Sequence, residues 1–152
     1  MRKQLIAAGI TLALGVGFAV DAAAQANPAT LVKQRQAGMT LIAKYFGPLG
    51  GMAAGRVPYD AAVVTRNAGY LEVLAHTPWD GFAASTSGEK SAALPEVFKD
   101  TAKFKSAQEA LEMNVGKLVA AAKTGNEATV KAAIGDVGKS CAACHDNFRA
   151  KQ

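Results

Sequence analysis

Two thiols and an imidazole stand together near the carboxyl end, in the run Cys141-Ala142-Ala143-Cys144-His145. C-x-x-C-H is the attachment signature of a c-type haem. Two thiols add across the two vinyl groups of one haem edge, and the adjacent imidazole supplies an axial ligand to the iron from the same short segment. On a helix at ~100° per residue, Cys144 falls ~60° and His145 ~40° from Cys141, so all three share one narrow arc. Other chemistries of a cysteine pair fit less well. A thioredoxin-like pair needs a neighbouring strand, and no comparable strand pattern exists in the sequence. Zinc would need a second ligand pair, yet His76 is the only other histidine. A disulfide between residues 141 and 144 inside a helix would be strained.

Seven residues follow His145 and none is a methionine, so a sixth iron ligand must come from upstream. The candidates are Met39, Met52, Met113 and His76. Met39 lies four residues after Arg35, beside the apolar face of the first expected helix, and is the best placed of these. It either bonds the iron or packs over it as an apolar side chain, since methionine is an ordinary core filler.

These residues need elements to position them, and the expected elements are all helical. Leu31, Arg35, Gly38, Ile42, Phe46 and Leu49 recur at steps of three and four between Pro28 and a stop at Gly50-Gly51. Pro58-Tyr59-Asp60 opens a second helix, which carries Val64, Ala68 and Leu71 and ends at Thr77-Pro78. Residues 78 to about 93 have loop chemistry, and a connection that long in a small domain is more often functional than idle. After Pro95, Phe104, Leu111, Val115 and Leu118 mark a third helix closed by Lys123-Thr124-Gly125. Asn126 caps the fourth, whose stripe of Val130, Ile134, Val137, Cys141, Cys144 and Phe148 contains both thiols. The expected fold is all-α, an antiparallel up-down-up-down four-helix bundle. Gly38, Ala68 and Gly138 interrupt the stripes with small residues, which either let helices approach closely or leave room for something other than a side chain.

Composition sets the bounds. Half of the 152 residues are hydrophobic and 19% are charged, which suits one modest domain and excludes disordered and collagen-like classes. Met1-Arg2-Lys3, the apolar stretch Leu5 to Val20 and Ala22-Ala23-Ala24 read as a secretory signal peptide over residues 1–24, with the haem domain spanning 25–152. Sixteen residues diluted by three glycines fall short of the ~20 that span a membrane. The net charge of +5 falls to +4, 15 basic against 11 acidic residues, once Arg2, Lys3 and Asp21 are removed. The basic residues are scattered singly, which argues against nucleic acid as a partner.

The C-terminal C-x-x-C-H followed by Asp146-Asn147-Phe148-Arg149, the Arg35-Gln36 pair ahead of Met39, Pro58-Tyr59-Asp60-Ala61-Ala62 and the loop Pro78-Trp79-Asp80-Gly81-Phe82 together resemble cytochrome c′, the class II c-type cytochromes, over essentially the whole chain after residue 24. The resemblance implies one covalent haem c with pentacoordinate, high-spin iron, His145 as proximal ligand, an apolar distal side chain that falls on Met39, and a homodimer. It implies that Arg35 and Gln36 meet a haem propionate, that Arg149 lies near the proximal imidazole, and that Trp79 and Phe82 border the haem. Six-coordinate relatives of the c-556 type place a ligating methionine in the same helix region.

Two functions follow as expectations. The first is a periplasmic protein that binds nitric oxide and carbon monoxide at an open iron site shielded by bulk, with electron transfer to a redox partner protein as a secondary role. The second is a six-coordinate electron carrier with His145 and Met39 as axial ligands. Enzymatic turnover is not expected, because peroxidase-type chemistry would want a distal His or Arg. Once the leader is removed, no membrane attachment is expected.

Overall fold

The computed structural model describes residues 27–151; the expected signal peptide, residues 1–24, lies outside them. Four long helices carry the fold: α1 (Pro28–Ala53), α2 (Ala61–Leu74), α4 (Thr101–Thr124) and α5 (Glu127–Phe148), with a single turn α3 (Glu96–Lys99) ahead of α4. Each start is built from the sequence signals. Asn27 accepts a hydrogen bond from Ala29 N with Pro28 at the first helical position, Asp60 accepts from Ala62 N and Val63 N, and Asn126 accepts from Thr129 N. Gly125 closes α4 in the left-handed conformation at φ 69°, which glycine adopts without strain.

α1 packs on α2 and α5, and α4 packs on α2 and α5, which closes the ring of a four-helix bundle. Its core is the set of stripes read from the sequence: Leu49, Leu71, Leu118, Val130 and Ile134 are among the fully buried side chains. Removing each from water stabilises the fold by roughly 1.5–3 kcal/mol. Pro48 takes one N–H out of the α1 ladder, and in the same turn the buried Asn67 of α2 donates to the carbonyl of Tyr45 at 3.0 Å. No helix among the described residues is long and apolar enough to cross a membrane.

Two boundaries differ from the sequence expectation. α1 does not stop at Gly50-Gly51 but runs to Ala53, and the chain turns at Gly55, where φ is 68°. Gly51 is buried, with Val57 3.2 Å from where its Cβ would be, so it serves as a point of close approach rather than as a stop. The third helix does not run unbroken from Pro95. Asp100, at φ −112° and ψ 64°, interrupts it and caps α4 by accepting from Lys103 N.

The small residues in the stripes also resolve. Gly38 admits Pro78 and Thr77, each 3.3 Å from its absent Cβ, so the turn after α2 sits directly on α1. Gly138 admits the ring of Phe46 at 3.4 Å, and Ala68 lies in the core.

The connection from Trp79 to Leu94 is a strap made of two short 3-10 turns, Trp79–Phe82 and Ala84–Thr86, followed by a run of turns and bends. It crosses from α1 to the end of α5. At its far end Leu94 N donates to Phe148 O at 2.9 Å and Ala150 N donates to Ala92 O at 2.8 Å, an isolated antiparallel bridge.

Candidate functional site

A cavity of about 530 Å³ opens between α1, α4, α5 and the strap. That size falls within the ~300–1,000 Å³ range of cofactor sites. Every site residue expected from the sequence lines it: Arg35, Gln36 and Met39 from α1, Trp79 and Phe82 from the strap, and Cys141, Cys144, His145 and Arg149 from α5 and its end. They meet because α1 and α5 are neighbours in the bundle and the strap closes the gap between them.

Cys141 and Cys144 are half-buried and carry free thiols, and His145 follows them at the rim. Burial raises the pKa of both thiols; a hydrogen bond to the Cys141 backbone opposes the shift at Cys141, and the charge of Cys141 adds to it at Cys144. Both therefore stand as neutral thiols at pH 7. The His145 pKa is lowered, chiefly by burial and then by the positive charge of Arg149, with Asp146 pulling the other way. A neutral imidazole has a lone pair to offer a metal. Beneath it, His145, Asp146, Arg149, Ala150 and Lys151 line a smaller hollow of about 280 Å³.

Of the four upstream candidates for a sixth ligand, only Met39 borders the cavity. Met52 is buried in the bundle core, Met113 is exposed, and His76 lies on the surface with Nδ1 3.4 Å from Glu112 Oε2. Around Met39 the α1 wall is made of Ile42, Ala43 and Phe46. Thr40 also faces the cavity, but its hydroxyl donates to Gln36 O within its own helix.

Arg35 sits 3% exposed, and its guanidinium donates to Gly81 O at 2.7 Å, Thr86 Oγ1 at 3.0 Å and Ser91 Oγ at 2.8 Å, with Cζ 4.5 Å above the Phe82 ring. The opposite wall is aromatic. Phe82 and Phe104 lie 4.9 Å apart, Phe104 and Phe148 meet edge-on at 5.3 Å, and Trp79 stands 6.1 Å from both Phe82 and Phe104. Trp79 Nε1 donates to Ala75 O at 2.6 Å, so its ring is fixed.

Several lining residues carry no mark in the sequence. Ser91, Ala92 and Ala93 reach the cavity only through the strap's bridge to residues 148–150. Phe104 and Phe148 are visible on their helical stripes but could not be assigned to a site rather than to core. Ser140, buried beside Cys141, accepts from Asn114 Nδ2 at 2.7 Å and ties α4 to α5 next to the thiols.

The residues fit a haem. The cavity is largely apolar, as a porphyrin face requires. Among the described residues its charged groups are Arg35 and Arg149, with no Asp or Glu in the lining, which suits a group bearing two carboxylates. Two thiols and an imidazole stand on one face at the spacing that two thioethers and an axial bond demand.

Known proteins agree with this reading. A family model described as Cytochrome C' matches residues 30–149. A cytochrome c′ of Alcaligenes xylosoxydans xylosoxydans is 43% identical over 127 residues, covering 84% of this chain and 98% of that protein. A nitric oxide complex of a mutant cytochrome c prime from Alcaligenes xylosoxidans superposes with a TM-score of 0.76 at 44% identity, covering 83% of this chain and 98% of the other. A carbon monoxide-bound variant of cytochrome c prime from the same organism gives the same TM-score, identity and coverage. A four-helix bundle whose cavity gathers Cys141, Cys144 and His145, matched along its length by this family, makes the chain a member of the cytochrome c′ family, the proteins that carry a covalently attached c-type haem.

Proposed function

We propose that this chain is a periplasmic gas-binding cytochrome in which Cys141 and Cys144 hold one haem, His145 is its axial ligand, and the opposite coordination site is left to nitric oxide or carbon monoxide. The observation that carries the reading is the makeup of the Met39 side: Met39, Ile42, Ala43 and Phe46 supply bulk and no hydrogen-bond donor. When bound, the haem supplies an iron that takes a diatomic ligand and changes oxidation state. The chain supplies the rest. Arg35 and Gln36 present donors for a haem carboxylate, Trp79, Phe82 and Phe104 exclude water from the edge, and Arg149 favours the neutral form of His145. Bound dioxygen gains from a donor in the pocket, so a wall without one favours nitric oxide and carbon monoxide. The solved relatives holding nitric oxide and carbon monoxide support this choice of ligand.

Export rests on the leader-like residues 1–24, which agrees with a haem attached outside the cytoplasm. A homodimer is supported by one face of α1 and α2. Tyr45 and Tyr70 meet with centroids 4.7 Å apart, and the exposed Leu41 and Val73 lie one helical turn from them on the same faces. Its expected role is storage or capture of gas, with electron exchange secondary and no turnover.

The second reading is favoured by one observation, the thioether of Met39 in the cavity wall. With His145 and Met39 both bound to iron, the protein would be a low-spin electron carrier of the c-556 type. An optical spectrum of the dithionite-reduced protein, with and without carbon monoxide, decides between them. High-spin iron that shifts on carbon monoxide addition supports the gas-binding protein; a low-spin spectrum that carbon monoxide leaves unchanged overturns it.

A further inference from the structure

Arg35 is the one charged side chain that is buried among the described residues. Its hydrogen-bond partners among the described residues are all uncharged, namely a carbonyl and two hydroxyls, and no carboxylate among them forms an ion pair with it. A guanidinium stays charged even when burial lowers its pKa, as it does here. The cavity it lines therefore feels a full positive charge with little water to screen it. Where a haem carboxylate takes up that charge, loss of Arg35 leaves the carboxylate uncompensated, which acts on the iron in the same direction.

The partners also have a pattern. Gly81, Thr86 and Ser91 are five residues apart along the strap, so one side chain of α1 holds it at three successive points. Ser91 Oγ in turn accepts from Ala93 N at 3.2 Å, which leads directly into the bridge with the end of α5. Between these points the strap's side-chain anchor to the bundle is Phe82, whose ring lies 4.9 Å from that of Phe104. Gly81 and Thr86 are buried, whereas residues 83–85, 87 and 88 are exposed.

We infer that Arg35 is a positioning residue with two coupled roles: it latches the strap over the cavity, and its charge raises the electron affinity of an iron held by His145. The inference rests on the haem reading above. Ferric iron carries one positive charge more than ferrous iron, so a fixed cation beside the cavity favours the ferrous state, the one that binds carbon monoxide. A lysine in this place keeps the charge but, as a point charge without the planar fork, cannot serve three acceptors spread over ten residues of chain.

The test uses the haem-loaded protein and the variants Arg35→Gln, Arg35→Lys, Ser91→Ala and Thr86→Val. Midpoint potentials come from spectroelectrochemistry, and amide hydrogen exchange is followed over residues 82–91. Arg35→Gln is expected to shift the ferrous/ferric equilibrium at least tenfold toward ferric, about 59 mV for one electron, and to speed strap exchange at least tenfold. Arg35→Lys should keep the potential to within a threefold change in that equilibrium while losing strap protection. Ser91→Ala and Thr86→Val should also loosen the strap with the potential kept. A midpoint in Arg35→Gln within a twofold equilibrium change of wild type overturns the electrostatic role, and unchanged exchange in that variant overturns the latch. Should Arg35→Gln fail to fold, the other three decide: faster exchange at a kept potential supports the inference, and exchange equal to wild type in all three overturns it. A wild-type protein without covalent haem would overturn the haem reading instead, which separates the two failures.

Discussion

Gly81 on the strap and Arg35 on α1 approach so closely that a Cβ on Gly81 would lie 2.5 Å from Arg35 Cβ and 2.7 Å from Leu31 O. The contact with a helix carbonyl cannot be relieved by a rotamer change. The same glycine carbonyl takes the 2.7 Å hydrogen bond from Arg35, so close packing and latch share one point of contact.

Gly81→Ala is therefore expected to destabilise the protein by about 1–3 kcal/mol through overpacking. Gly88→Ala, at a strap glycine with nothing within 4 Å of its absent Cβ and no positive φ, is expected to stay within about 0.5 kcal/mol of wild type. Thermal unfolding of the two variants side by side checks the contrast; equal melting temperatures would refute it.

Covalent attachment makes a mass prediction. The purified haem-loaded protein should exceed its bare polypeptide mass by one haem, and Cys141→Ser with Cys144→Ser should return the mass to that of the polypeptide. A single substitution should leave one thioether, seen as a shifted pyridine haemochrome spectrum. Retention of haem mass in the double variant would show that these thiols are not the tether.

Met39 separates the two coordination states. If it packs over the iron, Met39→Ala should raise carbon monoxide affinity about tenfold, corresponding to ~1.4 kcal/mol of relieved crowding, with the ferrous spectrum remaining high-spin. If it bonds the iron, the same change should convert a low-spin spectrum into a high-spin one. Equilibrium titration of the ferrous protein with carbon monoxide reads both outcomes.

The proposed dimer face predicts a change of assembly without a change of fold. Val73 is 67% exposed and Tyr70 47% exposed on α2. Introducing Val73→Glu with Tyr70→Glu should convert a dimer into a monomer in light scattering, with the helical circular dichroism kept. A wild-type protein that runs as a monomer at micromolar concentration would remove the dimer from the account.

Ser140 tests the support behind the thiols. Its hydroxyl accepts from Asn114 Nδ2 at 2.7 Å and donates to Asp136 O at 3.0 Å. Ser140→Ala leaves the Asn114 amide without that partner and should cost about 1–3 kcal/mol in chemical denaturation. Replacing both by apolar residues should recover part of the loss.

The sequence alone determined what depends on neighbours along the chain. Helix caps, stripes at steps of three and four, and the spacing of Cys141, Cys144 and His145 are local geometry, and α2 and α5 formed where those patterns said they would. The stripe that holds Val130 and Ile134 also holds both thiols, so the side of α5 that faces the cavity was readable too. Tertiary structure decided what depends on approach between distant segments. The reading of Gly50-Gly51 as a stop failed because Val57 packs against Gly51 and makes a buried glycine useful inside a helix. Arg35 falls on an apolar stripe, but only the folded strap brings Gly81, Thr86 and Ser91 to it and so makes burial of its charge tolerable. Likewise, nothing in the residues 91–93 announces a cavity wall; pairing with the chain just past α5 puts them there. Periodicity encodes which face a residue takes, whereas the partner met on that face is set by loop paths and close contacts that no short window contains.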